Sequence, residues 1–97
     1  MQTQFNTNFL SQLGTSDFES WILVQQAYRN ECWNESIMEC GFNTNTGYVY
    51  IALDNGISIA SCFGQDVEYI IYDFERGDEY ILDSYSEALE KQNEINA

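Results

Sequence analysis

Hydrophobic and polar positions alternate through the middle of the chain, between residues 48 and 83. A period of two residues predicts β-strands, because successive side chains of a strand point to opposite faces of the sheet. Turn segments that contain glycine divide the region into four predicted strands, at 48–53, 57–63, 67–74 and 79–83. The short turns between them predict an antiparallel β-meander. The strand at 67–74 is apolar on both faces, which is typical of a central or helix-covered strand.

The two faces of this sheet are predicted to differ. Val49, Ile51 and Leu53 share one face of the first strand, and Tyr48 and Tyr50 share the other. We expect helices to cover the first face. The opposite face is expected to be half hydrophobic and rich in hydroxyl groups, with Tyr48, Tyr50, Ala60, Cys62 and tyrosines of the later strands.

Helical spacing of apolar residues precedes the meander. A short helix is predicted at 7–13, where Phe5, Phe9, Leu10 and Leu13 recur and Thr7 or Asn8 is a candidate cap. A longer helix is predicted at 15–30, opened by a capping box from Ser16 to Glu19. Its apolar stripe is predicted to contain Phe18, Trp21, Ile22, Tyr28 and Cys32.

Residues 31–42 have two interpretations. A helix that ends at Gly41 aligns Trp33, Ile37 and Cys40, whereas a strand places Met38, Cys40 and Phe42 on one face. We favour the helix. Its acids Glu31, Glu35 and Glu39 would then form one exposed stripe.

A second capping box, Ser84 to Glu87, opens a predicted C-terminal helix at 84–96. The predicted fold is therefore α+β, with N-terminal helices, a four-stranded antiparallel meander and a C-terminal helix. We expect one domain over residues 1–97, mainly helical at 1–42 and a sheet at 48–83.

The net charge of −13, from 16 acidic and 3 basic residues, narrows the classes of partner. Direct binding to nucleic acid or to an anionic membrane is not expected, because three bases cannot neutralise a row of phosphates. Basic proteins are the expected partners, above all those whose basic groove holds DNA or RNA. Neither a signal peptide nor a transmembrane segment is predicted, and a cytoplasmic location in an infected bacterial host is expected.

Most catalytic and metal-binding chemistry is disfavoured by the residue types. The chain has no histidine, which removes histidine-based catalysis and histidine metal ligation. The spacing of Cys32, Cys40 and Cys62 matches neither a disulfide framework nor a zinc site. We expect no enzymatic activity, no metal and no cofactor. The acids Asp73, Glu75, Asp78 and Glu79 lack the pattern of an EF-hand loop.

The stretch 66–94 carries ten carboxylates against two bases, interspersed with four tyrosines. Tyrosine is enriched at protein interfaces, and carboxylates pair with arginine and lysine. We therefore predict a partner-binding surface in this stretch, centred on the turn between the last two strands. Its candidate residues are Asp66, Glu68, Tyr69, Tyr72, Asp73, Glu75, Asp78, Glu79, Tyr80 and Asp83.

In size, acidity, lack of histidine and order of elements, the chain resembles small phage-encoded inhibitors of the anti-CRISPR and DNA-mimic type. That resemblance carries no diagnostic motif. It implies an inhibitor that blocks the basic DNA- or RNA-binding surface of a bacterial defence nuclease complex.

Two alternatives accompany this hypothesis. An immunity protein that neutralises a nuclease toxin would be equally acidic. A structural or regulatory module would instead self-associate, for example as a homodimer, through Phe9, Leu10, Trp21 and Trp33.

Overall fold

A computed structural model describes residues 8–96 of the chain. A 3-10 helix at Asn8–Gln12 leads into helix α1, Thr15–Glu31, and helix α2 at Tyr85–Asn96 follows the sheet. The five strands of the sheet are β1 (Ile37–Asn43), β2 (Tyr48–Leu53), β3 (Ile57–Cys62), β4 (Glu68–Asp73) and β5 (Asp78–Leu82). They are antiparallel and hydrogen-bonded in chain order, so β3 is the central strand.

The prediction of four strands is wrong, because residues 37–43 form β1 and not a helix. Tyr28 of α1 holds the segment that follows the helix, because its hydroxyl group donates a hydrogen bond to the backbone carbonyl oxygen of Glu35 at 2.7 Å. The chain then pairs with β2, which places Cys40 opposite Ile51 and buries it. Pairing with the edge of β2 that β3 leaves open outweighs a helical pattern only a few turns long.

From Asn8 to the start of the sheet, the chain forms one α-helix rather than two or three. The helix predicted at 7–13 is a 3-10 helix at Asn8–Gln12, and the parts of that prediction that involve Phe5 and Thr7 lie outside the described residues. Ser16 does not cap α1. The cap residue is Gly14, whose backbone N–H group donates a hydrogen bond to Asp17 Oδ2 at 3.1 Å.

Both helices pack on one face of the sheet, with α1 against β2 and β3 and α2 against β4 and β5. The core lies between them and the sheet. Trp21 and Val24 of α1 are buried there with Ile51 and Ile59 of the sheet. The predicted stripe of α1 is rotated, because Phe18 and Ile22 are 48% and 42% exposed. Apolar residues fill positions 21–24 of α1, so spacing alone does not fix which side of the helix is buried.

The predicted turns and the C-terminal helix are confirmed. The β2–β3 turn contains Asn55 and Gly56, and Gly56 adopts a φ of +94°, a value that glycine reaches without steric cost. At the start of α2, the Ser84 hydroxyl oxygen accepts a hydrogen bond from the Glu87 N–H group at 3.2 Å. The Glu87 carboxylate accepts from the N–H group of Asp83 at 3.4 Å, one residue before the cap.

Candidate interaction face

The face of the sheet opposite the helices, here called the open face, has no secondary-structure element of the described chain packed on it. Strand alternation and register assign its residues. They are Glu39, Gly41 and Asn43 of β1, Tyr48, Tyr50 and Ala52 of β2, Ser58, Ala60 and Cys62 of β3, Glu68, Ile70 and Tyr72 of β4, and Glu79 and Ile81 of β5. The open face therefore combines tyrosine, aliphatic and acidic side chains.

Tyr48 and Glu68 form a hydrogen bond across the central strand. Tyr48 lies on β2 and Glu68 on β4, and the Tyr48 hydroxyl group donates to Glu68 Oε1 at 2.7 Å. This hydrogen bond, together with burial and the negative charge of Glu68, raises the pKa of Tyr48 to about 12. The hydroxyl group therefore stays protonated, and the ring is held over β3.

Tyr50 leans the other way, toward β1. It pairs with Gly41, and a Cβ atom at Gly41 would lie only 2.9 Å from the Tyr50 hydroxyl oxygen. A side chain at position 41 would displace the Tyr50 ring, so glycine leaves room for the ring above the strand. Burial raises the pKa of Tyr50, and the charge of Glu39 and a hydrogen bond to it add to the rise. A carboxylate thus contributes to the raised pKa of each tyrosine of β2.

A groove opens between these side chains. It has a volume of about 260 Å³ and is lined by Tyr48, Tyr50, Ser58, Ala60, Ile70, Ile81, Glu79, Asn43 and Thr46. The open-face residues of β3 are all small, and Ala60 is only 2% exposed beneath its larger neighbours. The surface of the open face is therefore lower along β3 than along the neighbouring strands. We call this feature the β3 groove.

The structure brings some of the predicted partner-binding residues to the open face. Glu68, Tyr72 and Glu79 lie on it, and Tyr72 is 46% exposed. Tyr72 makes an edge-on ring contact with Phe74, which is 87% exposed at the start of the β4–β5 turn. The predicted strand at 67–74 corresponds to β4, which lies inside the sheet between β3 and β5 and is covered by α2 on one face.

Four predicted residues lie on the helix side of the sheet: Tyr69, Asp73, Tyr80 and Asp78, of which Asp78 is exposed at the start of β5. Tyr69 is buried there, with its ring centroid 6.1 Å from that of Tyr85. Asp73 is also buried, and its Oδ1 atom accepts hydrogen bonds from the N–H groups of Glu75 and Arg76 at 3.1 and 3.3 Å. Tyr80 is half-buried beneath Lys91, whose Nζ atom lies 4.6 Å from the ring centroid. Tyr69 and Asp73 therefore serve the core and the turn, and neither is available to a partner.

The other predicted acids are exposed but scattered. Glu75 belongs to the β4–β5 turn and Asp78 is the first residue of β5, whereas Asp66 lies in the loop before β4 and Asp83 in the segment before α2. None of these acids lines the β3 groove. The predicted cluster at the β4–β5 turn is thus divided between a turn-forming carboxylate and solvent-exposed ones.

Sequence reasoning missed Glu39, Tyr48 and Tyr50 as members of the site. Both tyrosines were placed on the correct face but left out of the candidate set, because the set was restricted to the acidic stretch. Glu39 was assigned to a helix stripe. The strand interpretation of residues 31–42 was the signal that would have brought Glu39 next to β2, since β1 pairs Glu39 with Ala52.

The positive charges of the chain lie away from the open face. Arg29 is on α1, Lys91 is on α2, and Arg76 is in the β4–β5 turn with its Nε atom 4.0 Å from Asp73 Oδ2. Glu39, Glu68 and Glu79 on the open face therefore face solvent without a basic neighbour on the described strands. A cation that approaches this face meets uncompensated negative charge.

Cys32, Cys40 and Cys62 form no disulfide; Cys32 and Cys40 are buried and Cys62 is half-buried. Within residues 8–96, no cluster of three or more acidic or cysteine side chains is arranged to hold a metal ion. None of the helices in that range is both long and apolar enough to cross a membrane. No protein-family model, curated protein or solved structure matches the chain.

Proposed function

We propose that the protein is a non-enzymatic inhibitor that docks its open face on the basic nucleic-acid-binding surface of a bacterial defence nuclease complex. The composition of the open face carries this proposal. It combines tyrosines with Glu39, Glu68 and Glu79 on an uncovered sheet, and the basic residues of the chain lie elsewhere. The choice of partner class comes from the resemblance to small phage-encoded inhibitors.

The charge of the chain favours a basic partner. A net charge of −13 attracts a positively charged surface and speeds encounter, because opposite potentials steer diffusion. Carboxylates then form charge-assisted hydrogen bonds with lysine and arginine. A surface that binds phosphates already presents those side chains, so the protein would compete with nucleic acid for them.

The tyrosines of the open face suit a binding role because they are ordered before any partner arrives. Tyr48 donates a hydrogen bond to Glu68, and the Tyr50 hydroxyl oxygen lies directly over Gly41. Immobilised side chains lose little conformational entropy on binding. Tyrosine rings also supply large contact areas with a polar edge, which is common in protein-binding surfaces.

The test is a competition assay with purified nuclease complexes, among them CRISPR effectors, and labelled target DNA or RNA. Fluorescence anisotropy reports how much nucleic acid stays bound as the protein is added. We expect displacement at low salt that weakens steeply as salt rises, because the contacts are ionic. Cleavage assays on the same samples show whether displacement blocks the nuclease.

Two triple variants separate the open face from overall charge. The face variant carries Glu39→Gln, Glu68→Gln and Glu79→Gln, and the control variant carries Glu31→Gln, Glu90→Gln and Glu94→Gln in the helix layer. Both remove the same number of charges from the chain. We expect the face variant to lose displacement and the control variant to retain most of it. Equal behaviour of the two variants would contradict docking through the open face.

The alternative role as an immunity protein uses the same electrostatic logic. It would be favoured if the protein blocks a purified nuclease toxin encoded beside its gene and leaves defence complexes unaffected. A location among phage genes would favour the inhibitor.

A further inference from the structure

The two tyrosines of β2 lean in opposite directions over the sheet. The Tyr48 hydroxyl group reaches across β3 to Glu68 on β4, at 2.7 Å. The Tyr50 hydroxyl oxygen lies over Gly41 on β1, on the other side of β2. Since both residues belong to the same strand, their rings are splayed, and a gap is left where the β3 groove begins.

The β3 groove has small residues on its floor, an apolar far wall and one carboxylate, that of Glu79, in its lining. Ala60 and Ser58 form the floor, and Ile70 and Ile81 stand opposite the tyrosines. Glu79 also lines the groove. A ligand that fits must have an apolar or planar body and a cationic end.

We propose that the β3 groove receives an arginine side chain of the basic partner in preference to a lysine, an inference that rests on the proposed function. A guanidinium group is planar and weakly hydrated, so it stacks on aromatic rings and enters a partly apolar groove more readily than an ammonium group does. Its alkyl stem packs on Ala60 and Ile70. The groove volume of about 260 Å³ is large enough for one long side chain.

The carboxylates around the groove match the donors of arginine. A carboxylate has about four acceptor sites, so the hydrogen bond from Tyr48 leaves Glu68 with further capacity. The fixed fork of N–H groups in arginine pairs with two carboxylate oxygens at once, whereas lysine acts as a point charge. The bases of the chain do not compete for this place, because Arg29, Arg76 and Lys91 belong to other parts of the fold.

The experiment titrates the full-length protein with two peptides of equal length and charge. One alternates arginine and glycine, and the other alternates lysine and glycine. Two-dimensional NMR of the ¹⁵N-labelled protein reports affinity and the residues affected. We expect the arginine peptide to bind roughly fivefold more tightly, the order of a partly exposed cation–π contact. The largest shift changes are expected at Tyr48, Ala60, Ile70 and Ile81.

Two double variants test the role of the rings. Tyr48→Leu with Tyr50→Leu removes the aromatic rings, and the preference for arginine is expected to disappear. Tyr48→Phe with Tyr50→Phe keeps the rings, and most of the preference is expected to survive. Circular dichroism shows whether each variant is folded. If a variant does not fold, the comparison of the two peptides on the wild-type protein decides the outcome.

The results separate this inference from the proposed function. Equal affinity for both peptides, with shifts on the open face, would overturn the arginine preference and leave docking of a basic partner intact. Shifts confined to the helix layer, or no binding of either peptide at low salt, would overturn both. Tighter arginine binding with shifts around Ala60 supports both.

Discussion

The side-chain amide of Asn55 donates a hydrogen bond to the hydroxyl oxygen of Tyr85 at 2.9 Å. Asn55 lies in the β2–β3 turn and Tyr85 is the first residue of α2, so this contact joins two segments distant in sequence. The Oδ1 atom of the same asparagine accepts a hydrogen bond from the Ile57 N–H group at 3.0 Å. Its backbone carbonyl oxygen accepts a hydrogen bond from the Gln92 side-chain amide. Asn55 therefore anchors α2 to the end of the sheet.

Tyr85→Phe removes the acceptor of Asn55 without changing the aromatic packing. We expect it to lower the free energy of unfolding by about 1 kcal/mol, the usual net value of such a hydrogen bond. Tyr72→Phe is the matched control, because the Tyr72 side chain is 46% exposed on the open face. That change is expected to stay within about 0.5 kcal/mol. Urea unfolding curves measure both, and equal losses would contradict the anchoring role.

Ser20→Ala tests the junction between α1 and the β3–β4 loop. Ser20 is fully buried, and its hydroxyl oxygen accepts a hydrogen bond from the Gly64 N–H group at 2.7 Å. Without it, a partly buried N–H group is left unpaired, which costs about 1–3 kcal/mol. Chemical denaturation measures this loss.

Ser16→Ala is the control for Ser20→Ala. Ser16 is exposed in the first turn of α1, and the cap of that helix is Gly14. We expect a change of less than about 0.5 kcal/mol. A loss near 1 kcal/mol would instead indicate that Ser16 is the cap, as the sequence suggested.

The sequence predicted the part of the fold whose signals are local. Alternation and the Asn55–Gly56 turn defined β2 and β3 and assigned Tyr48 and Tyr50 to the correct face. Residues 37–43 were misread because Cys40 fits both the helical and the strand interpretation, and only pairing with β2 decides between them. Such pairing is a tertiary interaction and leaves no mark in a single short segment.

The candidate site was predicted less completely than the fold. Composition pointed to acids and tyrosines, but it does not distinguish Asp73, which orders a turn, from Glu79, which faces solvent. Tyr69 and Tyr72 lie three residues apart on one strand and therefore point to opposite faces. The register across five strands was needed to bring Glu39 and Glu68 to the same face as Tyr48.

The ionisation of Tyr48 is predicted to depend on Glu68. Because the folded pKa of about 12 lies above the ordinary value of 10.0, Tyr48 contributes stability that is fully present below pH 10 and is lost as the pH rises toward 12. Glu68→Gln removes the charge and weakens the acceptor, so the pKa of Tyr48 is expected to fall toward its ordinary value. Spectroscopic titration of tyrosinate, with Tyr48→Phe to assign the signal, measures this change. An unchanged titration in Glu68→Gln would contradict the contact.

The three thiols are predicted to react at different rates. Burial raises the pKa of Cys32 to about 12, with nearby Glu31 and Glu35 adding to the rise, and burial likewise raises the pKa of Cys40. Cys62 is half-buried on the open face. Since the thiolate is the reactive form, we expect an alkylating reagent to modify Cys62 first and the other two only after unfolding. Peptide mass mapping over time measures the order, and early modification of Cys32 would contradict the packing of this region.

Substitutions of Asp73 test whether its carboxylate stabilises the turn or binds the partner. Asp73→Ala removes the acceptor of two backbone N–H groups and is expected to cost about 1–2 kcal/mol. Asp73→Asn keeps an oxygen at that position and is expected to cost less. Neither change is expected to alter the salt dependence of partner binding, because the Asp73 side chain is buried on the helix side. Loss of binding in a stably folded Asp73→Asn variant would contradict this assignment.

For a partner that docks on the open face as proposed, the row of small residues along β3 limits the shape that fits. A DNA duplex presents a convex, charged backbone to a protein that binds it. Ala60, in contrast, lies at the bottom of the β3 groove and is only 2% exposed. The β3 groove has a volume of about 260 Å³, which is the size of one side chain. It therefore suits a single protruding side chain and not a row of phosphates. The protein would thus imitate the charge of nucleic acid without copying its contour. Its partner would have to supply the protruding half of the fit.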